Sequence, residues 1–443
     1  ARGYFEPNSR EAKKYVEDAI KDLVSHEVGH TLGLRHNFRA STIHTLEQLH
    51  DKDLTRKEGI TGSAMDYNPI NLAGKGKKQG QFWQTSLGTY DYWAIEYAYK
   101  PIDAENPEDE LKELDKIAAR GSEPKLAYGT DEDAFGFLPQ GIDPITNLRD
   151  LGSDPIAYYE HRLELAMELV TSMESKFARL GDRYSKLRLV LSHALREYRR
   201  AAATVPKFVG GIYHRRDHIG DPGNRMPFEP VNAAKQREAL TFLKQQIFGR
   251  NAFQFTPGLM RRLPPERFYD FDWSVANTSR VDYPVHDIVL SIQKIALDRM
   301  YHAITLKRML DLPLYHKDAE TVFTMVEMFQ EMRKAIWSEV DEKANINSFR
   351  RNLQRAHLAK LIDLAVKPTP VPYYSLAGGT KPVGKVMPPE DASTFARADL
   401  FALQKGITTA LTDTAFDVAS RAHLEESLAR ITAALNASVQ REM

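Results

Sequence analysis

The sequence predicts a mainly α-helical protein, and three observations lead to this prediction. Apolar residues recur at steps of three and four over residues 9–33, 153–181 and 322–336, which is the spacing of helices that bury one face. Typical start and stop signals bound the second of these segments: Ser153-Asp154-Pro155 precedes it and Gly181 ends it. The chain has 443 residues, 42% apolar and 27% charged, which is the composition of a soluble globular protein with a sizeable core.

The charge balance and the lack of cysteine exclude several classes of function. Sixty basic and sixty acidic residues cancel, so no global field indicates a nucleic-acid partner or an anionic membrane. No segment approaches the roughly 20 consecutive apolar residues of a membrane span. There are no cysteines, which excludes disulfides, thiolate metal sites and a cysteine nucleophile. Any metal must therefore be held by histidine or by a carboxylate.

The helical pattern divides the chain into three predicted parts. Residues 1–100 open with a helix from about residue 9, with Asn8 as its predicted cap, and Gly33 as its stop. Residues 37–86 are expected to be irregular with short helices, and 89–99 to be helical. Residues 101–152, acidic and then rich in glycine and proline, are predicted to form a linker with one short helix.

Residues 153–443 are predicted to form a large helical domain. Its methionine and aromatic stripes have the spacing of a core and indicate no cofactor. Between its later helices, residues 367–390 are rich in proline and glycine and are expected to be extended. The predicted helices cover residues 153–181, 184–203, 231–248, 284–311, 322–336, 344–366, 392–405 and 421–436.

One eleven-residue motif predicts a metal site with a catalytic base. On a helix, His26 and His30 lie one turn apart on one face, so both imidazoles reach one ion. Glu27 then lies beside the open position of the metal as a catalytic base, and Gly33 permits the turn that brings in His36 as third ligand. Three neutral histidines leave zinc its full charge, which lowers the pKa of a bound water to about 7. The alternative is two surface histidines on an amphipathic helix. The run reads His26-Glu27-Val28-Gly29-His30-Thr31-Leu32-Gly33-Leu34-Arg35-His36.

A second motif, Gly62-Ser63-Ala64-Met65-Asp66-Tyr67, lies 29 residues beyond His36 when counted to Met65. With both motifs, the sequence resembles the metzincin zinc metallopeptidases, which place a methionine turn after the zinc helix. The resemblance implies that Met65 forms an apolar floor under the ligands without binding the ion, and that Tyr67 contacts the metal and stabilises the transition state. The alternatives are an ordinary turn and a tyrosine packed under it.

The wider resemblance is to a bacterial family of large, exported, metzincin-like zinc-dependent metalloproteases with a helical C-terminal region. Residues 30–38, 90–97, 151–156 and 209–222 carry it. The family implies an exported location, in the periplasm, at the cell surface or secreted. Asn37-Phe38 after the third histidine departs from the astacin and serralysin branches, so the chain is assigned to neither.

Two further clusters have alternative interpretations. His214 and His218 share the i, i+4 spacing, but glycines on both sides indicate a loop or strand. They are a second metal site, a loop over the cleft, or plain structure. Asp131-Glu132-Asp133 is either a calcium site or a solvated acidic loop.

Two functions from different classes fit the motifs. The first is a zinc-dependent endopeptidase with a protein or peptide substrate. The second is a non-catalytic module in which zinc is structural and the helical domain binds a protein partner; the intact Glu27 favours the first. Metzincins place a sheet subdomain before the zinc helix, yet only 25 residues precede His26, and the chain opens Ala1-Arg2 without Met. We therefore expect an upstream region of the same precursor to supply that sheet.

Overall fold

Helices dominate both compact units of the chain, which are Ala1–Leu165 with Gly211–Pro230, and Ala166–Gly210 with Val231–Met443. The computed structural model describes residues 5–6, 8–134, 141–178, 180–266, 280–316, 322–374, 381–413 and 416–437. The predicted mainly α-helical class is confirmed. No helix in these ranges is long and apolar enough to cross a membrane.

The first unit is built on helix α1, which covers Arg10–Thr31. Its cap is Ser9, whose Oγ accepts a hydrogen bond from the Ala12 amide at 3.0 Å. The prediction of Asn8 as the cap was therefore wrong. Asn8 instead takes a left-handed φ of 73°, a conformation that asparagine tolerates better than most residues. The following helices of this unit are α2 (Lys52–Glu58), α3 (Thr89–Tyr99), α4 (Pro107–Ala119) and the single turn α5 (Asp131–Ala134).

The part predicted as a linker, residues 101–152, contains α4 and α5 and belongs to the first compact unit. A short hairpin completes that unit, with β1 (Ile212–His214) antiparallel to β2 (Phe228–Pro230). The Ile212 amide donates to the Ile142 carbonyl oxygen at 3.1 Å, which ties β1 to the end of the 101–152 segment.

The second unit is a helical assembly with a small hairpin. The three long helices α14 (Ser348–Val366), α15 (Glu390–Ala410) and α16 (Val418–Asn436) pack against one another, and α10 (Val285–Met300) packs on α14 and on α7 (Ser185–Thr204). Met328, Phe329, Met332 and Ile336 are fully buried, which confirms the predicted core stripe. The helices reaching into or lying in this unit are α6 (Pro155–Phe177), α7 (Ser185–Thr204), α8 (Ala233–Phe242), α9 (Pro257–Met260), α10 (Val285–Met300), α11 (Ala303–Asp311), α12 (Met325–Ile336), α13 (Ser338–Glu342), α14 (Ser348–Val366), α15 (Glu390–Ala410) and α16 (Val418–Asn436).

Two predicted helices are interrupted. The helix expected over 284–311 is two helices, because His302 caps the second one by accepting a hydrogen bond from the Ile304 amide. The helix expected over 231–248 ends as a wider π-helical turn at Leu243–Ile247. The stretch expected to be extended forms the hairpin of β3 (Val371–Tyr374) and β4 (Pro382–Val386). Apolar periodicity alone reports neither a side-chain cap nor a change of helical type.

Candidate metal centre

Helix α1 and the turn after it bring three histidine rings together. His26 and His30 lie one turn apart, with ring centroids separated by 4.7 Å. Gly33 has a left-handed φ of 83°, and its amide donates to the His30 carbonyl oxygen while the Leu34 amide donates to Gly29. This glycine-terminated cap reverses the chain. The His36 ring thereby lies 5.3 Å from that of His26 and 4.8 Å from that of His30.

The hydrogen bonds of the three rings leave one nitrogen of each for a metal. Nδ1 of His26 lies 2.8 Å from the Ala64 carbonyl oxygen, and Nδ1 of His30 lies 2.9 Å from that of Leu34. Nδ1 of His36 lies 3.0 Å from an Asp131 carboxylate oxygen. A carbonyl or carboxylate oxygen only accepts, so each Nδ1 carries the proton and each Nε2 keeps its lone pair.

The three rings place one nitrogen each in a common cluster. These nitrogens lie within 4.8 Å of one another, and Nε2 of His36 is buried with no hydrogen-bond partner among the described residues. An unpartnered buried nitrogen is costly unless something binds it. Burial also lowers the pKa of His26 and favours the neutral ring that a metal needs. The donor set fits zinc, which prefers imidazole nitrogen and tetrahedral coordination.

Glu27 lies beside this cluster at the edge of a cleft. Its side chain is exposed and lines a cavity of about 290 Å³ together with His26, Tyr67 and Arg149. Two further carboxyl groups line the same cavity. Burial raises the pKa of Asp22 to about 6 and raises that of Asp66 well above its usual range. Asp22 and Asp66 are buried, so the exposed carboxylate among the three is that of Glu27, which directly follows His26 in the sequence.

Met65 lies against the backbone of α1 at Gly29. It is only 1% exposed, and a Cβ atom added to Gly29 would overlap its Sδ. The Met65 carbonyl oxygen accepts from the Asn37 amide at 3.0 Å, which joins the methionine segment to the residue that follows His36. The methionine segment therefore contacts both α1 and the chain that follows the third histidine.

Asp91 of α3 holds the methionine segment in place, a role that the sequence does not reveal. Its carboxylate accepts from Ser63 Oγ at 2.5 Å and from the amides of Ala64 and Gly88 at 2.8 Å each. Ser63 Oγ in turn accepts from the Met65 amide at 3.0 Å. These three hydrogen bonds offset the free-energy cost of burying the Asp91 carboxylate. Its only signal in sequence is an acidic residue in the first turn of a predicted helix.

Tyr67 is placed where it faces the cluster. Its ring centroid lies 4.6 Å from that of His36 and 5.2 Å from that of His26, and the residue is 38% exposed. Burial raises the pKa of the phenol, the charges of Asp131 and Glu27 act in the same direction, and Arg149 acts against them. Tyr67 thus remains a protonated hydrogen-bond donor at neutral pH.

The acidic segment of α5 meets basic side chains of the first unit. Asp131 contacts His36, while Glu132 accepts two hydrogen bonds from Arg35, at 2.6 and 3.1 Å. Asp133 accepts from Arg216 at 2.6 Å. These three residues, which the sequence offered as a calcium site or a solvated loop, therefore act as partners of His36 and of two arginines.

His214 and His218 lie in different environments. His214 belongs to β1 and stacks on Phe228 at 5.0 Å, whereas the side chain of His218 is 89% exposed near Asp221. Across the described ranges, His26, His30 and His36 form the one group of three potential metal-binding side chains. The strand or loop predicted for His214 is confirmed as a strand.

Helix α1 with its two histidines, the turn at Gly33 and the third histidine after it form one cluster of three potential metal ligands. A sequence model of the family described as Met-zincin matches residues 8–344, and the chain belongs to this family. No curated protein and no solved structure matches the chain. Membership confirms the predicted metzincin relationship and implies zinc binding.

Proposed function

We propose that this chain is the catalytic portion of a zinc-dependent endopeptidase that binds one zinc ion through His26, His30 and His36. One observation carries the proposal. The cluster has three histidines and no fourth His, Cys, Asp or Glu from the described ranges, while Glu27 lines the cleft beside it. A structural zinc site is normally closed by a fourth protein ligand and needs no base, whereas a catalytic one keeps a position open.

In the proposed mechanism, Glu27 moves the protons. When bound, zinc supplies a Lewis acid that polarises a carbonyl group and makes water acidic near pH 7. The Glu27 carboxylate accepts a proton from the attacking water and delivers it to the nitrogen of the leaving amine. The exposure of its side chain in the cleft gives both groups access to it.

Tyr67 is the proposed oxyanion donor. Its phenol keeps its proton at neutral pH and faces the histidine rings, with centroid distances of 4.6 and 5.2 Å. A donor fixed at the place where negative charge develops stabilises the transition state without reorganising. Met65 and Gly33 are assigned supporting roles, the first as the floor and the second as the turn before His36.

Replacement of Glu27 tests the proposal. We expect Glu27→Ala to keep the zinc and the fold and to lower peptide turnover by about 10²–10⁴-fold, because general-base assistance accounts for that much. Glu17→Ala is the matched control, since Glu17 is an exposed glutamate of the same helix. Turnover on a peptide library and zinc content by mass spectrometry are measured for both, with His30→Ala as the variant expected to lose zinc.

The outcome separates catalysis from a structural role for the metal. Near-wild-type turnover of Glu27→Ala would remove Glu27 from the mechanism. Stable zinc binding without peptide hydrolysis by the wild-type chain together with its upstream region would favour the non-catalytic module that binds a protein partner.

We further propose that an upstream region of the same precursor covers the apolar face of α1, and that the protein is exported. The face carries Val16, Ile20, Val24 and Val28, each 48–55% exposed. In metzincins, by the resemblance stated above, a sheet packs on this side of the zinc helix. Export likewise follows from that resemblance.

A further inference from the structure

Arg149 lines the same cavity as Glu27 and Tyr67, and its side chain has no partner among the residues that the structure describes. Within the described part of the chain, its guanidinium makes no ion pair and no side-chain hydrogen bond, and the residue is exposed. Most arginines near the site behave differently: Arg35 and Arg216 both bind acidic residues. Arg149 is thus a cation of the cleft that is available to a ligand.

The backbone around Arg149 holds it in a conformation that arginine disfavours. Its φ is +64°, in the left-handed region that strains residues with a Cβ. Its amide donates to the Tyr67 carbonyl oxygen at 3.1 Å, and the Asn147 amide donates to that of Phe38 at 3.2 Å. Strain of this kind persists only where the surroundings impose it, and such residues concentrate at functional sites.

Two buried polar residues, Asn147 and Asp150, flank the exposed pair Leu148 and Arg149, and Arg149 is the charged member of that pair. Asn147 is 4% exposed and Asp150 is 1% exposed, and the Asn147 side-chain amide donates to Asp150 at 3.0 Å. The segment is therefore fixed on both sides of Arg149 by buried polar contacts. The backbone that carries Arg149 is thereby fixed, so ordering this backbone on binding costs little further conformational entropy.

We infer that Arg149 is a specificity-determining residue that binds an acidic side chain of the peptide substrate close to the scissile bond. A planar guanidinium matches a carboxylate with two parallel hydrogen bonds. Glu27 and Asp22 also line the cavity, and without Arg149 their carboxyl groups would repel an acidic substrate. This inference rests on the proposed peptidase function and adds the substrate class to it.

Paired peptides test the inference. A peptide that the protein cleaves is made with glutamate or glutamine at each position flanking the scissile bond, and kcat/KM is measured for each pair. We expect the glutamate peptide to be preferred by about 10–100-fold at one position, as for a hydrogen bond between charged groups. Arg149→Gln should abolish the difference, Arg149→Lys should keep part of it, and Arg149→Glu should favour a lysine peptide over the glutamate one.

A control variant and a binding assay keep the outcomes distinct. Arg56→Gln removes an exposed arginine of α2, outside the residues lining the cavity, and should leave the preference intact.

Binding of the same peptides, now carrying a fluorescent label, to the Glu27→Ala variant is measured by fluorescence anisotropy. Glutamate-selective binding that needs Arg149 supports the inference even if no peptide is cleaved. The absence of cleavage would count against the peptidase proposal and not against the inference. Cleavage without glutamate preference, or a preference that survives Arg149→Gln, overturns the inference and leaves the peptidase function standing.

Discussion

At the scale of single residues, the orientation of His36 depends on a carboxylate 95 positions away. Nδ1 of His36 lies 3.0 and 3.1 Å from the two oxygens of Asp131. The other two histidines use backbone carbonyl oxygens for the same purpose. His36 follows the end of α1, so no helix fixes its backbone, and a side-chain partner does the work of orienting the ring and directing Nε2 to the metal.

Removal of this carboxylate should weaken the metal site. We expect Asp131→Ala to lower zinc affinity by about 10–100-fold, the usual effect of losing the outer partner of a metal-binding histidine. Asp131→Asn, which keeps an acceptor oxygen but not the charge, should lose less. Competition with a chelator of known affinity measures both. The control is Asp115→Ala on the exposed face of α4, and an Asp131→Ala protein with the affinity of this control would show that backbone geometry alone orients His36.

At the scale of secondary-structure elements, α1 buries a polar face. Asp22, His26 and Gly29 are its buried positions, and they follow one another at steps of four and three. The residues on its opposite face are apolar and exposed. The usual arrangement of an amphipathic helix is therefore inverted with respect to the described part of the first unit, because the histidine cluster and Met65 lie on the inner side.

Gly29 is the point at which α1 meets the Met65 side chain, and replacing it tests this contact. Alanine is favoured over glycine in a helix by about 1 kcal/mol, so helix propensity predicts that Gly29→Ala stabilises the protein. The Cβ atom would overlap Met65 Sδ, so we expect lower stability and weaker zinc binding instead. Urea unfolding and chelator competition provide the two measurements.

A double-mutant cycle identifies the cause. With the Met65 side chain shortened in a Met65→Ala background, the cost of Gly29→Ala should fall, since interacting neighbours give non-additive free energies. Additive effects would mean that Gly29 is required for another reason.

At the scale of the whole molecule, the apolar stripe of α1 remains exposed, because no part of the described structure covers it. Val16, Ile20, Leu23, Val24 and Val28 are 48–60% exposed. Burial of such side chains contributes about 1.5–3 kcal/mol each, and a continuous patch of this kind marks an interaction surface.

The chain produced alone should reveal this surface. We expect it to bind the dye ANS, to hold zinc weakly and to cleave peptides poorly, and we expect the upstream region, added in cis or in trans, to reverse all three. Ile20→Gln with Val24→Gln should lower ANS binding and also weaken the effect of the upstream region. Lys13→Gln with Lys21→Gln, at exposed basic positions of α1, is the control. A stable, monomeric and fully active isolated chain that binds little ANS would contradict the proposal.

The sequence by itself determined the fold class, most helix positions and the histidine cluster. His26, Glu27 and His30 are fixed by the pitch of one helix, and Gly33 by the left-handed turn that ends it. These are local properties, so periodicity and spacing report them directly. The apolar stripe was visible for the same reason, since its members also recur at helical spacing.

Only the tertiary structure decided which distant residues complete the site. Asp131, Asp91 and Arg149 reach the metal region through contacts across 95, 28 and 82 positions of sequence. No spacing rule connects such residues, because their proximity results from how the segments pack after each has formed. The cap at His302 and the π-helical turn at Leu243–Ile247 were unpredicted for a different reason, since apolar periodicity reports neither a side-chain cap nor a change of helical type. Helices follow from local repetition of apolar residues. Long-range packing determines which distant residues, such as Asp131, Asp91 and Arg149, lie next to the site.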